Sequence, residues 1–176
     1  TGLILLDGKI EINLGFYDKR ILEAPDKIMI RPGLFHSTKS ISSKRITMLE
    51  IEIPIDKSDL VRFQDEYGRA EKPYEGSDFI SELDKNAILF DHPVEQEIKN
   101  YIFNQTIVTI ERHNDVKMLT NRTPDTIFTI LKGGLVSKNN KIVLPPGDVV
   151  RTDTIKKLAE VFKNTDYIDV LTVSKW

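Results

Sequence analysis

Three groups of residues have types and spacings that could do chemistry. Glu50 and Glu52 stand two apart in the apolar run Arg45 to Ile53. On a strand they share a face, and paired carboxylates can act as general acid and general base when burial separates their pKa values. His36 follows Pro32-Gly33-Leu34-Phe35, and a neutral imidazole can move a proton or ligate a metal. Arg62, Asp65, Tyr67 and Arg69 crowd one short stretch. Guanidinium forks match phosphate and carboxylate geometry, and a tyrosine can stack on a sugar ring and donate a hydrogen bond. Each group also has a plainer explanation. The glutamates fit a solvated strand face, His36 fits a turn cap, and the Arg–Asp set fits an ion-pair network pinning an irregular segment. His113, between Arg112 and Asn114 at a strand end, is expected at the surface, and His92, before Pro93, in a turn.

The elements that must position these residues are mostly strands. Leu3 to Leu14 predicts two strands joined at Asp7-Gly8, because both turn positions tolerate positive φ. Ile10, Ile12 and Leu14 alternate with polar residues, which gives that strand one buried face. Tyr17 to Leu22, Lys27 to Ile30 and Arg45 to Ile53 follow as strands. In the last of these, Thr47, Leu49, Ile51 and Ile53 form the better core face, leaving Glu50 and Glu52 toward a lumen or toward water. Asp59 is placed to cap a helical turn, and Ser77 to Leu83 predicts a brief helix. Val94 to Phe103 fits a helix or a strand. Gln105 to Met118 is strand-like, and Thr126 to Val136 is a second hairpin with Gly133-Gly134 at its turn. A helix is predicted from about Asp153 to Asn164, with Thr152 or Asp153 as cap and Ile155, Leu158, Ala159 and Phe162 as its apolar stripe. Ile168 to Ser174 closes the chain as a strand. Turn signals recurring about every 8 to 12 residues between such strands argue for an antiparallel sandwich or barrel.

Composition removes several alternatives. With 176 residues, 40% of them apolar, there is material for a real core. A net charge of −2 gives no electrostatic reason to bind nucleic acid or an acidic membrane surface. No apolar run reaches the roughly 20 residues that span a bilayer, and no signal peptide is visible. The absence of cysteine excludes disulfides, thiolate metal sites and a cysteine nucleophile, and it fits the cytoplasm. No glycine-rich phosphate loop or nucleophile elbow is present. The chain opens at Thr1-Gly2 without methionine, so residues are expected upstream.

Two parts of the chain follow one plan. Ile4-Leu5-Leu6-Asp7-Gly8 is similar to Thr129-Ile130-Leu131-Lys132-Gly133. Pro25-Asp26 precedes Ile28-Met29-Ile30 much as Gly147-Asp148 precedes Val149-Val150. Such spacing predicts two copies of one β unit.

Gly8, Asp26, Ile28, Ile30, Pro32, Gly33 and His36 together resemble the second half of the cupin motif pair. Thr126 to Val150 resembles a degenerate second copy, matching at Gly133 and Pro146-Gly147-Asp148 but without a following histidine. Glu50-Ile51-Glu52 with Asp59 to Arg69 is similar to the end of the cupin domain in bacterial type II phosphomannose isomerases, a domain also fused to mannose-1-phosphate guanylyltransferase. The resemblance implies an all-β, cupin-like antiparallel barrel (a jelly roll), here a degenerate bicupin finished by a C-terminal helix. Its units would span residues 1–76 and 106–176, joined by 77–105. It implies a cytoplasmic homodimer of surface-polysaccharide or nucleotide-sugar biosynthesis, with a sugar phosphate or nucleotide sugar as ligand. As an isomerase or epimerase it would use His36, Glu50 and Glu52 in catalysis and Arg62, Asp65, Tyr67 and Arg69 to hold the ligand. The other reading is a non-enzymatic ligand-binding or scaffolding cupin. A divalent metal is not favoured as a cofactor. Metal-binding cupins draw two histidines and a glutamate from a motif upstream of the hairpin, and this chain starts at the hairpin. Thr120 to Asp125, the corresponding stretch of the second copy, holds no histidine, so His36 is the sole motif-matched ligand.

Overall fold

Side-chain alternation sets the first strands. In Lys9–Leu14 (β2), Ile10, Ile12 and Leu14 are buried and the residues between them are half exposed, as a strand with one wet face requires. Gly2–Asp7 (β1) does not alternate, and its Leu3-Ile4-Leu5-Leu6 run is buried throughout. Leu3 and Leu5 pack into one apolar cluster, and Ile4 and Leu6 into another on the opposite face. Gly8 joins the two strands at a φ of 85°, which glycine adopts without the steric penalty of a Cβ.

The computed structural model describes residues 1–53, 61, 62, 68 and 87–176. It divides into one unit of residues 1–52 with 91–176 and a second of 53–90. The Asp59 cap and the helix expected at Ser77 to Leu83 lie outside the described residues.

The larger unit holds the same strand plan twice. In the first copy, Asp18–Glu23 (β3), Asp26–Met29 (β4), His36–Ser40 (β5) and Thr47–Ile51 (β6) join β1 and β2 in two antiparallel sheets, ordered β4-β1-β6 and β3-β2-β5. The second copy comprises Ile127–Lys132 (β9), Leu135–Val136 (β10), Ile142–Leu144 (β11), Val149–Arg151 (β12), Lys163–Asn164 (β13) and Ile168–Lys175 (β14). Its sheets run β12-β9-β14 and β11-β10-β13, the first extended by Thr106–His113 (β8) and Ile98–Ile102 (β7). Each strand of the first copy thus has a counterpart with the same neighbours. Loop hydrogen bonds repeat as well. The Ile41 amide donates to Lys9 O at 3.1 Å, and the Thr165 amide donates to Gly134 O at 3.0 Å.

Each copy has its own core between its two sheets. Leu3, Leu5, Ile10, Ile12 and Leu14 fill the first, and Phe128, Ile130, Leu135, Leu144 and Val170 fill the second. A third cluster joins the copies, with Ile4 and Leu6 packed among Val108, Ile110, Ile127, Leu171 and Val173. Polar contacts fasten the same seam. Arg151 meets Asp26 at 2.7 Å, Lys27 Nζ donates to Val149 O at 2.8 Å, and Thr106 Oγ1 donates to Leu6 O at 2.9 Å.

Several expectations need correcting. Among the described residues the sheets stay open and no barrel closes. Both faces of β6 carry core residues, because Met48 packs into the first cluster while Leu49 and Ile51 pack into the third. The C-terminal helix (α1) spans Thr152–Ala159 and is shorter than its apolar stripe suggests. Its N-cap position is Arg151, with no side-chain cap, while Thr152 Oγ1 donates to Thr123 O at 2.6 Å. The Val94 to Phe103 alternative resolves to strand β7, because β8 supplies its backbone partners. Strand β8 itself stops at His113. Asp115 then accepts from the Lys117 amide at 2.9 Å and opens the 3-10 helix Val116–Leu119.

Candidate functional site

Strand β8 places its polar residues by parity. Glu111 pairs with Val170, Thr109 with Thr172 and His113 with Ile168, so these three side chains share the face that carries the second copy's core. Glu111 is wholly buried, at 0% side-chain exposure. A buried carboxylate must be paired and hydrogen-bonded to be tolerated, and this one is. Thr109 Oγ1 donates to Oε1 at 2.5 Å, while His113 Nε2 and Arg122 Nη2 both approach Oε2 at 2.7 Å. The one Thr109 proton is committed to Glu111, so Thr172 donates to Thr109 across 2.6 Å.

Burial by itself would raise the Glu111 pKa. The hydrogen bonds from His113 and Thr109, with the Arg122 charge, outweigh it and leave the pKa lowered. A lowered carboxylate contributes stability above its unfolded value, about 4.3 for glutamate, and loses it as pH falls through the folded value. Urea midpoints for wild type and Glu111→Gln should therefore differ near neutrality and converge on acidification. A gap that persists undiminished to the acid limit of folding would contradict this.

A carboxylate can only accept, so His113 donates from Nε2, and in the neutral ring this leaves the lone pair on Nδ1. The imidazole is 14% exposed and the Arg122 side chain 32%. Arg122 uses one nitrogen on Glu111, and among the described residues the remaining N–H groups of its fork have no partner. The group therefore holds an oriented base and a hydrogen-bonding cation side by side on one buried oxygen. The surface position expected for His113 does not hold. Thr-x-Glu-x-His at alternate positions of one strand is the sequence signal that would have found the cluster.

On the opposite face, Arg112 forms a fork with Asp169 at 2.6 and 2.8 Å and lies over the Tyr167 ring, 4.3 Å from its centroid. The hydrogen bonds from Arg112 to Asp169 raise the Arg112 pKa further. This arrangement braces the sheet.

The first copy disposes the residues singled out from sequence differently. His36 pairs with Leu14 and Glu50 with Leu3, so both stand on inner faces of that copy, yet in different sheets and both exposed. His36 Nδ1 donates to Leu34 O at 3.1 Å, and no hydrogen bond or ion pair links it to Glu50. Glu52 follows the end of β6 and is partly buried. Glu50 opposes Leu3 as Thr172 opposes Phe128, so it holds the place that the second copy gives to its polar network. Arg62 is partly buried and belongs to the 53–90 unit. Asp65, Tyr67 and Arg69 lie outside the described residues.

Among the described residues no group of three or more His, Asp or Glu side chains could hold a metal ion. At Glu111 the carboxylate oxygen that an ion would need already carries the Arg122 guanidinium. The donor set does not fit a divalent cation. Among the described residues no helix is long and apolar enough to cross a membrane. No protein-family model, no curated protein and no solved structure matches this chain.

Proposed function

We propose that the chain is a cupin-like protein of carbohydrate biosynthesis that takes a sugar phosphate or nucleotide sugar and isomerises or epimerises it by proton transfer. One observation supports this reading above the rest: a fully buried Glu111 holds His113 by Nε2 while Nδ1 stays free and Arg122 stands beside it. A carboxylate behind an imidazole fixes the tautomer and stabilises the imidazolium that forms when the ring takes a proton. His113 Nδ1 would accept the proton from a carbon next to a carbonyl. The C–H electron pair would move into the new carbon–carbon double bond and the carbonyl pair onto oxygen. The free edge of Arg122 is suited to that oxygen or to a phosphate. Return of the proton to the former carbonyl carbon, with the neighbouring hydroxyl proton passing to the enolate oxygen, completes an isomerisation, and return to the opposite face of the original carbon an epimerisation. His36, Glu50 and Glu52 remain candidates for catalysis at the first copy, although neither His36 nor Glu50 has the oriented partner that His113 has.

The second reading is a non-enzymatic ligand-binding or scaffolding protein. It is favoured by the internal balance of the cluster, where Glu111 and Arg122 neutralise each other and every Glu111 oxygen is satisfied. Such a network can serve only to tie the segment around Arg122 to β8.

Deuterium incorporation from solvent, followed by NMR over a panel of sugar phosphates and nucleotide sugars, separates the two. The enzymatic reading expects exchange at carbon that falls about 10²–10⁴-fold in His113→Ala. Thermal stabilisation without exchange would favour the binding protein. Neither effect with any compound would remove both readings.

A further inference from the structure

Strand β7 is the outer strand of the five-stranded sheet, and its pairing parity can be read directly. The Phe103 amide donates to Thr106 O at 2.8 Å, continuing the register in which Ile102 pairs with Ile107. Backbone groups alternate in direction along a strand. Lys99 and Tyr101 therefore point their N–H and C=O toward β8, and Ile98, Asn100 and Ile102 point theirs away from it. Among the described residues these outward groups have no partner. The side chains of the same three residues stand on the face shared with Glu111, and Ile98 and Ile102 are 53% and 62% exposed. An open edge flanked by exposed β-branched residues is a template for another strand unless something covers it.

The sequence of this edge is self-complementary. Turning Ile98-Lys99-Asn100-Tyr101-Ile102 end for end about Asn100 sets isoleucine against isoleucine, lysine against tyrosine and asparagine against itself. Parity agrees, because an outward-facing Asn100 on the axis makes a hydrogen-bonded antiparallel pair, with Ile98 and Ile102 in the pairs on either side. Charge agrees too. Asp91 accepts from the Tyr101 hydroxyl at 2.9 Å and lies 3.6 Å from Lys99. Across the axis each lysine would face a tyrosine that holds a carboxylate, and would not face the other lysine.

We infer that β7 is a self-pairing edge: two copies of this chain join antiparallel about a two-fold axis through Asn100, and their five-stranded sheets become one of ten strands. The interface is isologous, so it closes at two copies and uses up the edge that would otherwise template further addition. It stands independently of the proposed chemistry.

The chain has no cysteine, which allows a direct test of the register. In Asn100→Cys the two engineered positions would lie about 5.5 Å apart between Cα atoms, within the roughly 4.4–6.8 Å a disulfide spans. In Ile98→Cys they would lie about 13 Å apart along the strands. Sedimentation of the wild type should give twice the 20.2 kDa chain mass. Mild oxidation should convert Asn100→Cys, but not Ile98→Cys, to a covalent dimer that thiols reverse. Asn100→Pro removes only an outward N–H, so it should sediment as a monomer with an unchanged circular dichroism spectrum. If it fails to fold, the cysteine pair still decides the matter. A monomeric wild type at every concentration, equal cross-linking at both positions, or a dimer that survives Asn100→Pro would overturn the inference.

Discussion

Glu111→Ala should remove about 2–4 kcal/mol of folding stability, the largest loss expected from any one substitution in the polar network. The substitution strands a buried Thr109 hydroxyl, an enclosed imidazole and a guanidinium that all aim at one carboxylate. The upper part of the usual range for a broken buried ion pair is discounted, because Arg122 is 32% exposed and can recover water. In a chain of this size a loss of about 3 kcal/mol corresponds to roughly 6–12 °C in Tm. Chemical denaturation measures it directly. Arg122→Ala in the Glu111→Ala background should then cost much less than in wild type, since the two act as one unit. A loss under about 1 kcal/mol for Glu111→Ala, or strict additivity in the double variant, would mean that the cluster is looser than its geometry.

Gly133→Ala should be of similar size, about 2–4 kcal/mol, by a different mechanism. Gly133 sits in the β9–β10 turn at a φ of 73°, where an L side chain carries strain of about 1–2 kcal/mol. A Cβ there would also run into the Tyr167 carbonyl and the Thr165 hydroxyl. That backbone leads into β14, the central strand of the sheet that holds Thr172, Val170 and Asp169, so it cannot yield cheaply. Gly33 supplies the control. Its φ is 74°, but among the described residues, its chain neighbours aside, no atom lies within 4 Å of the Cβ position. Gly33→Ala should therefore show the conformational strain alone, and the difference between the two variants measures the steric part. Equal losses would show that the close approach at Gly133 relaxes without penalty.

Local chemistry by itself determined a good deal of this protein. Asp7-Gly8 and Gly133-Gly134 marked turns because glycine at positive φ is a property of the residue and not of its surroundings, but the strands each turn joins enter different sheets, so neither closes the expected hairpin. The alternation of Ile10, Ile12 and Leu14 marked a half-buried strand for the same reason. The likeness of Ile4 to Gly8 and Thr129 to Gly133 announced two copies of one unit, and the two sheet orders repeat strand for strand. Where a residue's role depends on distant partners, the sequence was silent. His113 looked like a strand-end surface residue because its two chain neighbours are polar. Only the fold brings Arg122 back to the oxygen that His113 also uses and lays Val170 opposite Glu111. The unbroken apolar run of β1 could not say that both faces are covered, since the second cover comes from strands more than a hundred residues away. Helix α1 stops at Ala159, short of the end of its apolar stripe, where the chain turns so that Lys163 and Asn164 pair with β10 as strand β13. Spacing along the chain fixes which side chains share a face. Which faces then meet is decided only when the two copies pack, because a buried carboxylate must find its donors wherever the packing leaves them.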